Sequence, residues 1–208
     1  MTPSATSAKV RPDLANPRHR VALDQAVQAE KHQRRQIASL RTFLEGAWKV
    51  VEPGTPFEPA EYLDWLCEDM EAVFRGEIRE LVICLPPGTA KSLVVAVIFP
   101  AWIWLHRPTE KILSVSAIGK LATRDSRRMR EILRSPWYQG LAAKAAKMRG
   151  EKPWTFAKDQ DEKVNFENSA RGWRQCFGLD GGITGQRGDG MICDDLVDAA
   201  EVIHGSPS

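Results

Sequence analysis

The sequence predicts an α/β fold in which helices flank a mostly parallel sheet. Three observations predict it. Short apolar runs alternate with segments of helical periodicity, the apolar run at 81–84 leads into a turn of small residues, and the apolar run at 190–193 ends in two carboxylates. Strands that alternate with helices form parallel sheets with right-handed crossovers, and ligands bind at the carboxyl ends of such strands. The small-residue turn after residue 84 and the two carboxylates after residue 193 are both predicted to lie at such ends.

The first third of the chain is predicted to be helical after a flexible start. Residues 1–20 read as a flexible arm, because prolines are set among Ser, Thr and Arg there. Apolar residues recur at helical intervals over 21–44 and 60–74, and Gly76 ends the second helix. We therefore expect a basic N-terminal arm over residues 1–42, partly flexible and then helical, ahead of one α/β domain over 43–208.

The core elements follow that arm. A strand at 81–85 precedes a helix at 91–104, which Pro100 is expected to interrupt or end. The remaining elements, in chain order, are a strand at 111–116, helices at 118–134 and 136–148, an antiparallel meander with strands at 154–157, 164–166 and 173–177, a glycine-rich loop at 178–190, and a strand that ends at Asp194.

Composition gives the class of protein. The 208 residues are 43% hydrophobic and 27% charged, which suits one globular domain with a sizeable core. The four cysteines are widely spaced, which predicts no zinc site, and three of them stand in apolar runs, as buried thiols do. No secretory segment and no apolar stretch of about 18 residues is present, so a protein of the cytoplasm with no membrane partner is expected.

The charge distribution is uneven although the net charge is only +2. Residues 1–41 carry eight Lys and Arg against three acids, and residues 120–134 carry six against two. On a helix, Arg124, Arg127 and Arg128 share one stripe and could contact one phosphate track of DNA. The alternative is that either block is a solvated helix surface.

Residues 85–92 have the layout of a phosphate-binding loop. Backbone N–H groups and a helix dipole at such a turn favour phosphate oxygens. The Lys91 ammonium would reach the β and γ phosphates of ATP, and the Ser92 hydroxyl would hold Mg²⁺. The strict motif has Gly where Leu85 and Ala90 stand, so a chance turn before a core helix is the alternative. The candidate nucleotide-binding residues are Pro87, Gly88, Thr89, Ala90, Lys91 and Ser92.

The acidic pair at the end of the last predicted strand suits the second half of such a site. Asp194 would hold Mg²⁺ and Asp195 would polarise the attacking water. A strand that ends in a solvated Asp-Asp turn is the alternative. Glu201 is a weaker candidate for the base. Upstream aromatic residues would either cover the adenine or, more simply, pack in the core: Phe57, Tyr62 and Trp65.

Several further pieces stand in a specific order along the chain. They are Pro-Pro-x-x-x-Lys-Ser at 86–92, Ser-Val-Ser at 114–116, Leu-Ala at 121–122, Arg-Arg at 127–128, Ser-Pro-Trp-Tyr at 135–138, Phe-Glu-Asn at 166–168, Gly172, Ile-Thr-Gly-Gln-Arg-Gly-Asp at 183–189 and Asp-Asp at 194–195. In this order they resemble the ATPase domain of the large terminase subunit of tailed bacteriophages, from about Phe43 to the end of the chain. The resemblance implies a P-loop NTPase fold.

The chain departs from that family in three respects. Many members carry Arg where this chain has Gly88 and Gly where it has Ala90, so the phosphate-stabilising charge must come from elsewhere or be weak. Leu196 stands where the family usually has Pro. The chain ends at Ser208, which leaves no room for the last core strands or a nuclease domain. We therefore expect a C-terminally truncated domain with an incomplete core.

The resemblance implies a Mg²⁺-dependent ATPase that moves double-stranded phage DNA into a capsid. It also implies a portal protein and a small terminase subunit as partners, a homo-oligomer at full length, and a location in the cytoplasm of a host or prophage-bearing bacterium. Two alternatives stay open. One is a catalytically inactive remnant that binds nucleotide, DNA or a partner subunit, and the other is a helicase-like P-loop ATPase.

Overall fold

A computed structural model describes residues 16–117, 119–161, 165–179 and 185–196. The chain divides into two compact units, Met1–Arg35 and Gln36–Ser208. Helix α1, Pro17–Ala38, begins in the first unit and ends in the second. Its side chains are exposed through most of the first unit, where Glu30 and Arg34 form an i,i+4 ion pair at 2.9 Å. Exposed pairs of this kind contribute only a few tenths of a kcal/mol, about 0.3–0.5.

The predicted helix at 21–44 is wrong in its bounds, because the helix breaks at Ser39. Ser39 is extended, with φ −128° and ψ 126°, and α2 then runs over Leu40–Val51. The Leu40 N–H donates to Glu71 Oε1 at 2.6 Å, so a side chain of α3, Glu61–Arg75, satisfies a free donor at the start of α2. Helix α3 ends at Gly76 with φ +80°, as predicted.

Among the described residues, the sheet has five strands in the order β2-β3-β4-β1-β5. Strand β1 pairs in parallel with β4 and β5, whereas β2–β3 and β3–β4 are antiparallel. The α/β class is thus confirmed, but the sheet is mixed rather than mostly parallel, because the predicted meander joins it through β4. The strands are β1 Lys111–Ser116, β2 Phe156–Asp161, β3 Phe166–Asn168, β4 Trp173–Gly178 and β5 Gly190–Cys193.

The strand predicted at 81–85 is wrong. Residues 80–86 are assigned to no strand, and none of them pairs with a strand of the described sheet. A cavity of about 520 Å³ is lined by Leu81 and Ile83 and also by Gly190 and Ile192 of β5. An apolar run becomes a strand only where a partner edge is within hydrogen-bonding reach.

The helix after the loop does not end at Pro100. It starts at Lys91, widens to a π-helix over Leu93–Ile98 and continues as α4, Phe99–His106. Proline lacks an N–H group, so Pro100 cannot donate a hydrogen bond to the carbonyl of Ala96, four residues earlier. Arg174 Nη1 donates to that carbonyl at 2.6 Å instead. The wide turn and the buried arginine together let the helix pass through proline.

Helices α5, Gly119–Arg134, and α6, Pro136–Arg149, complete the domain. The Ser135 hydroxyl accepts from the Tyr138 N–H at 3.2 Å and so caps α6. One apolar core joins the helices to the sheet, and its largest fully buried aromatic side chains are Trp104, Tyr138, Phe43 and Phe166. Among the described residues, no helix has both the length and the apolar character that crossing a bilayer requires.

The close approach at Gly172 gives a test of this packing. A Cβ atom there would collide with the backbone carbonyl oxygen of Pro108 and would lie 3.0 Å from that of Glu110. Because backbone cannot yield as a flexible side chain can, we expect Gly172→Ala to lower the free energy of unfolding by about 1–3 kcal/mol. Thermal and urea unfolding measure it.

The matched control is Gly140→Ala on α6, where an added Cβ would meet nothing within 4 Å. That change should be neutral or stabilise by about 0.5–1 kcal/mol, because alanine favours a helix interior over glycine. Equal effects of the two substitutions would contradict the packing at Gly172.

Candidate functional site

The acidic pair lies beside Lys91, as the sequence predicts for one site. Beyond β5, the Asp194 N–H donates to the Val115 carbonyl at 2.9 Å, and the Asp195 carbonyl accepts from the Ala117 N–H at 3.0 Å. Both acids are therefore fixed at the carboxyl end of β1. Lys91 Nζ lies 3.1 Å from Asp194 Oδ1 and 3.4 Å from Asp195 Oδ1.

The two carboxylates differ in environment. The Asp194 side chain is 11% exposed and that of Asp195 is 54% exposed, while Lys91 lies between these values at 25%. Burial on its own lowers the pKa of Lys91, but the hydrogen bond and charge of Asp194, followed by the charge of Asp195, raise it above its ordinary value. Lys91 is therefore a full cation at neutral pH.

The loop before Lys91 is held by two hydrogen bonds. Thr89 Oγ1 donates to the Pro86 carbonyl at 2.8 Å, and the Tyr62 hydroxyl donates to the Thr89 carbonyl at 3.2 Å. The helix that starts at Lys91 follows directly, with the Val94 N–H donating to the Ala90 carbonyl at 3.0 Å. The first N–H groups of a helix have no acceptor within it and favour anions.

Two residues that flank the site have backbone conformations which glycine would favour. Ala90 has φ +56° and Asp195 has φ +47°. A left-handed conformation costs a residue with a Cβ atom about 1–2 kcal/mol. Ala90 occupies the position at which the phosphate-loop motif has Gly, and its backbone has a conformation that glycine favours. Gly88, at φ +84°, has no such cost.

A cavity of about 530 Å³ opens over the loop, and residues from three other parts of the chain complete its lining. Asp195 lines this cavity, whereas Asp194 lines the neighbouring one beside β5, and Lys91 lines both. All the residues predicted to bind nucleotide line the cavity: Pro87, Gly88, Thr89, Ala90, Lys91 and Ser92. Outside residues 85–93, the lining residues that the sequence did not assign to this site are Trp48, Glu52, Arg124 and Arg128.

The predicted arginine stripe on α5 is divided by the structure. Arg124 and Arg128 line the loop cavity, whereas Arg127 is exposed and is not part of that lining. The spacing of four residues marked Arg124 and Arg128 as one face of a helix. Periodicity alone did not show that this face meets the loop.

The upstream aromatic residues do not line the loop cavity as it is described. Tyr62 supports the loop through Thr89, Phe57 packs edge-on against Trp48 with ring centroids 5.5 Å apart, and Trp65 is 58% exposed. None of the three lines the loop cavity as described, whereas Trp48 does. Glu201 lies outside the described residues.

Comparison of the chain with protein-family models, with curated proteins and with solved structures found no match. Function is therefore inferred from the residues of the chain itself and from their geometry.

The four thiols give a test of the site's exposure. Cys84 and Cys193 are exposed, whereas Cys67 and Cys176 are buried, and burial raises the pKa of Cys67 to about 12. Burial also raises the pKa of Cys193, so its reactive thiolate is scarcer than for an ordinary thiol. At pH 8 we expect an aromatic disulfide reagent to modify Cys84 and Cys193 in the folded protein and to spare the other two.

Peptide mass spectrometry after timed labelling identifies each modified cysteine. Protein unfolded in urea is the control, and all four thiols should react there. Rapid labelling of Cys67 in the folded protein, or protection of Cys84, would show that the segment leading into the loop packs differently.

Proposed function

We propose that this chain binds ATP with Mg²⁺ in the loop cavity and hydrolyses it. The observation that carries the proposal is the meeting of Lys91, at the end of a small-residue turn and the start of a helix, with the carboxylates of Asp194 and Asp195. Two motifs from distant parts of the chain thus form one charged centre. A single chance motif would not bring its counterpart to within hydrogen-bonding distance.

The groups in and beside the cavity suit a metal triphosphate. Lys91 and the helix start favour phosphate oxygens. The Ser92 hydroxyl and the Asp194 carboxylate are hard oxygen donors, which Mg²⁺ prefers. Bound Mg²⁺ would neutralise charge on the phosphates. The cavity volume of about 530 Å³ also lies within the range of small-molecule sites.

The chemistry follows from an exchange of partners. A bound triphosphate would draw Lys91 from Asp194 to the phosphate oxygens, and Asp194 would then be free to hold Mg²⁺. Asp195, the more exposed acid, orients a water molecule in the cavity. The water oxygen forms a bond to the terminal phosphorus as the bond to the ADP oxygen breaks, and a proton of the water passes to Asp195.

The resemblance to the terminase ATPase domain supports a larger role for this site. In that role ATP hydrolysis drives translocation of double-stranded DNA, with a portal protein and a small terminase subunit as partners. A helicase-like ATPase would use the same residues. A different candidate is a remnant that binds nucleotide without turnover, and one observation favours it. Residues 80–86, which lead into the loop, have no strand partner in the described sheet.

The binding step is tested with Lys91→Ala. Loss of a charge-assisted contact to phosphate costs about 1.5–3 kcal/mol, so the affinity for a fluorescent ATP analogue with Mg²⁺ should fall roughly 10- to 150-fold. Lys147→Ala is the control, because it removes the same charge from an exposed position of α6. Equal affinities of the unaltered protein and Lys91→Ala would exclude the loop as the nucleotide site.

The acidic pair is tested by separating binding from turnover. Asp195→Asn should leave the affinity for Mg-ATP nearly unchanged and abolish phosphate release, which also distinguishes a hydrolase from a remnant that has no turnover to lose. Asp194→Asn should weaken the Mg²⁺ dependence of both. Titrations at several Mg²⁺ concentrations, with a phosphate-release assay, measure these effects. The reverse pattern would mean that the two acids exchange roles.

A further inference from the structure

Arg124 and Arg128 lie one helical turn apart on α5, and both line the loop cavity. With Lys91 they give this cavity three cationic side chains, against the two carboxylates of Glu52 and Asp195. A solvated helix surface would not explain why two of the arginines share a cavity with Lys91. The arrangement suits a ligand that carries several negative charges.

The Arg124 guanidinium is held at one end and open at the other. Its Nε donates to Asp125 Oδ1 at 2.9 Å, and the Asp125 side chain is only 5% exposed, so the anchor is fixed in the protein. Within the part of the chain that the structure describes, Nη1 and Nη2 of Arg124 have no hydrogen-bond or ionic partner. A planar guanidinium restricted in this way presents a pair of N–H donors that matches two oxygens of a phosphate.

The position of Arg124 relative to the acids indicates which end of a ligand it would meet. Its pKa is raised, first by the hydrogen bond to Asp125 and against the effect of burial, with contributions from the charges of Asp194 and Asp195. Arg124 also lines the same cavity as Lys91 and Asp195. These groups lie where the proposed function puts the terminal phosphate.

Arg128 differs from Arg124 in its partner. It forms an ion pair with Glu52, just beyond the end of α2, and its side chain is 27% exposed against 51% for Arg124. A ligand would have to displace Glu52 to engage Arg128 fully. Arg124 is the arginine of the cavity whose outer nitrogens are available.

We propose that Arg124 binds the terminal phosphate of the nucleotide in the loop cavity and stabilises the charge that builds up there during transfer. The inference rests on the proposed function. In phosphoryl transfer an arginine supplied by the same chain or by a neighbour commonly has this role. The loop itself offers Lys91 as its charged side chain, since Gly88 and Ala90 are neutral, so the second cation comes from α5.

The test compares three charge-removing variants on one helix: R124Q, R128Q and R127Q. Glutamine at 124 can still donate to Asp125, so the anchor is kept while the charge is lost. Each variant is titrated with fluorescent analogues of ATP and of ADP in the presence of Mg²⁺. We expect R124Q to weaken ATP binding by about tenfold or more and ADP binding by less than about twofold, with a smaller loss of ATP affinity in R128Q and none in R127Q.

The outcomes separate this inference from the proposed function. If the unaltered protein binds neither analogue, both fail. If it binds ATP and R124Q binds ATP equally well, only the role of Arg124 is overturned. Equal losses in R124Q and R127Q, or equal losses of ATP and ADP affinity in R124Q, would also overturn it, because a general effect of net charge explains them.

A second variant guards against a folding defect in R124Q, which thermal unfolding would reveal. R124K keeps the charge but lacks the planar fork, so its ATP affinity should lie between that of the unaltered protein and that of R124Q. An R124K protein that folds normally and binds ATP as tightly as the unaltered protein, with no change in phosphate release, would overturn bidentate binding by Arg124.

Discussion

The parallel pairing of β5 with β1 is the interaction on which the site depends. The sequence around Lys91 and that around Asp194 contain nothing that would bring them together locally. The register is set where β5 begins: the Asp189 N–H donates to the Lys111 carbonyl at 2.8 Å, and the Lys111 N–H donates to Asp189 Oδ2 at 2.9 Å. Gly188 allows this approach, since a Cβ atom there would lie 2.9 Å from the Lys111 carbonyl oxygen. A shift of one residue would move one acid into the position of the other and displace the second acid from the site.

A buried arginine connects the sheet to the helix that follows the loop. Arg174 of β4 is fully buried, and Nη1 donates to the Ala96 carbonyl that Pro100 leaves without a donor. Its charge also acts on buried Asp125, whose pKa is raised by burial and lowered in part by Arg124 and Arg174. A buried charge is tolerated where other charges and hydrogen bonds compensate it. Asp125, which anchors Arg124, thus interacts with the same buried arginine as the helix that follows the loop.

The sequence was sufficient where the signal is local. The small-residue turn before Lys91 and the αL cap at Gly76 depend on neighbours along the chain, and the structure has them as predicted. The strand at 81–85 failed because strand formation needs a partner edge, which an apolar run does not specify. The surroundings of the α5 arginines could not be predicted for a similar reason: a period of 3.6 residues groups Arg124 with Arg128 but does not say which part of the chain the group meets.

The charged side chains of the candidate site compensate one another in the absence of a ligand. A partly buried lysine alone would be costly, and so would a nearly buried Asp194, but at 3.1 Å each compensates the other. Glu52 does the same for Arg128, and Asp125 does so for one end of Arg124. A metal triphosphate brings both signs of charge, so every ion pair that it breaks is replaced by another of the same kind. The cost of opening the site is therefore small for such a ligand and large for a neutral one, which offers Lys91 nothing in exchange for Asp194. The proposed function therefore predicts selectivity for an anion that carries its own cation.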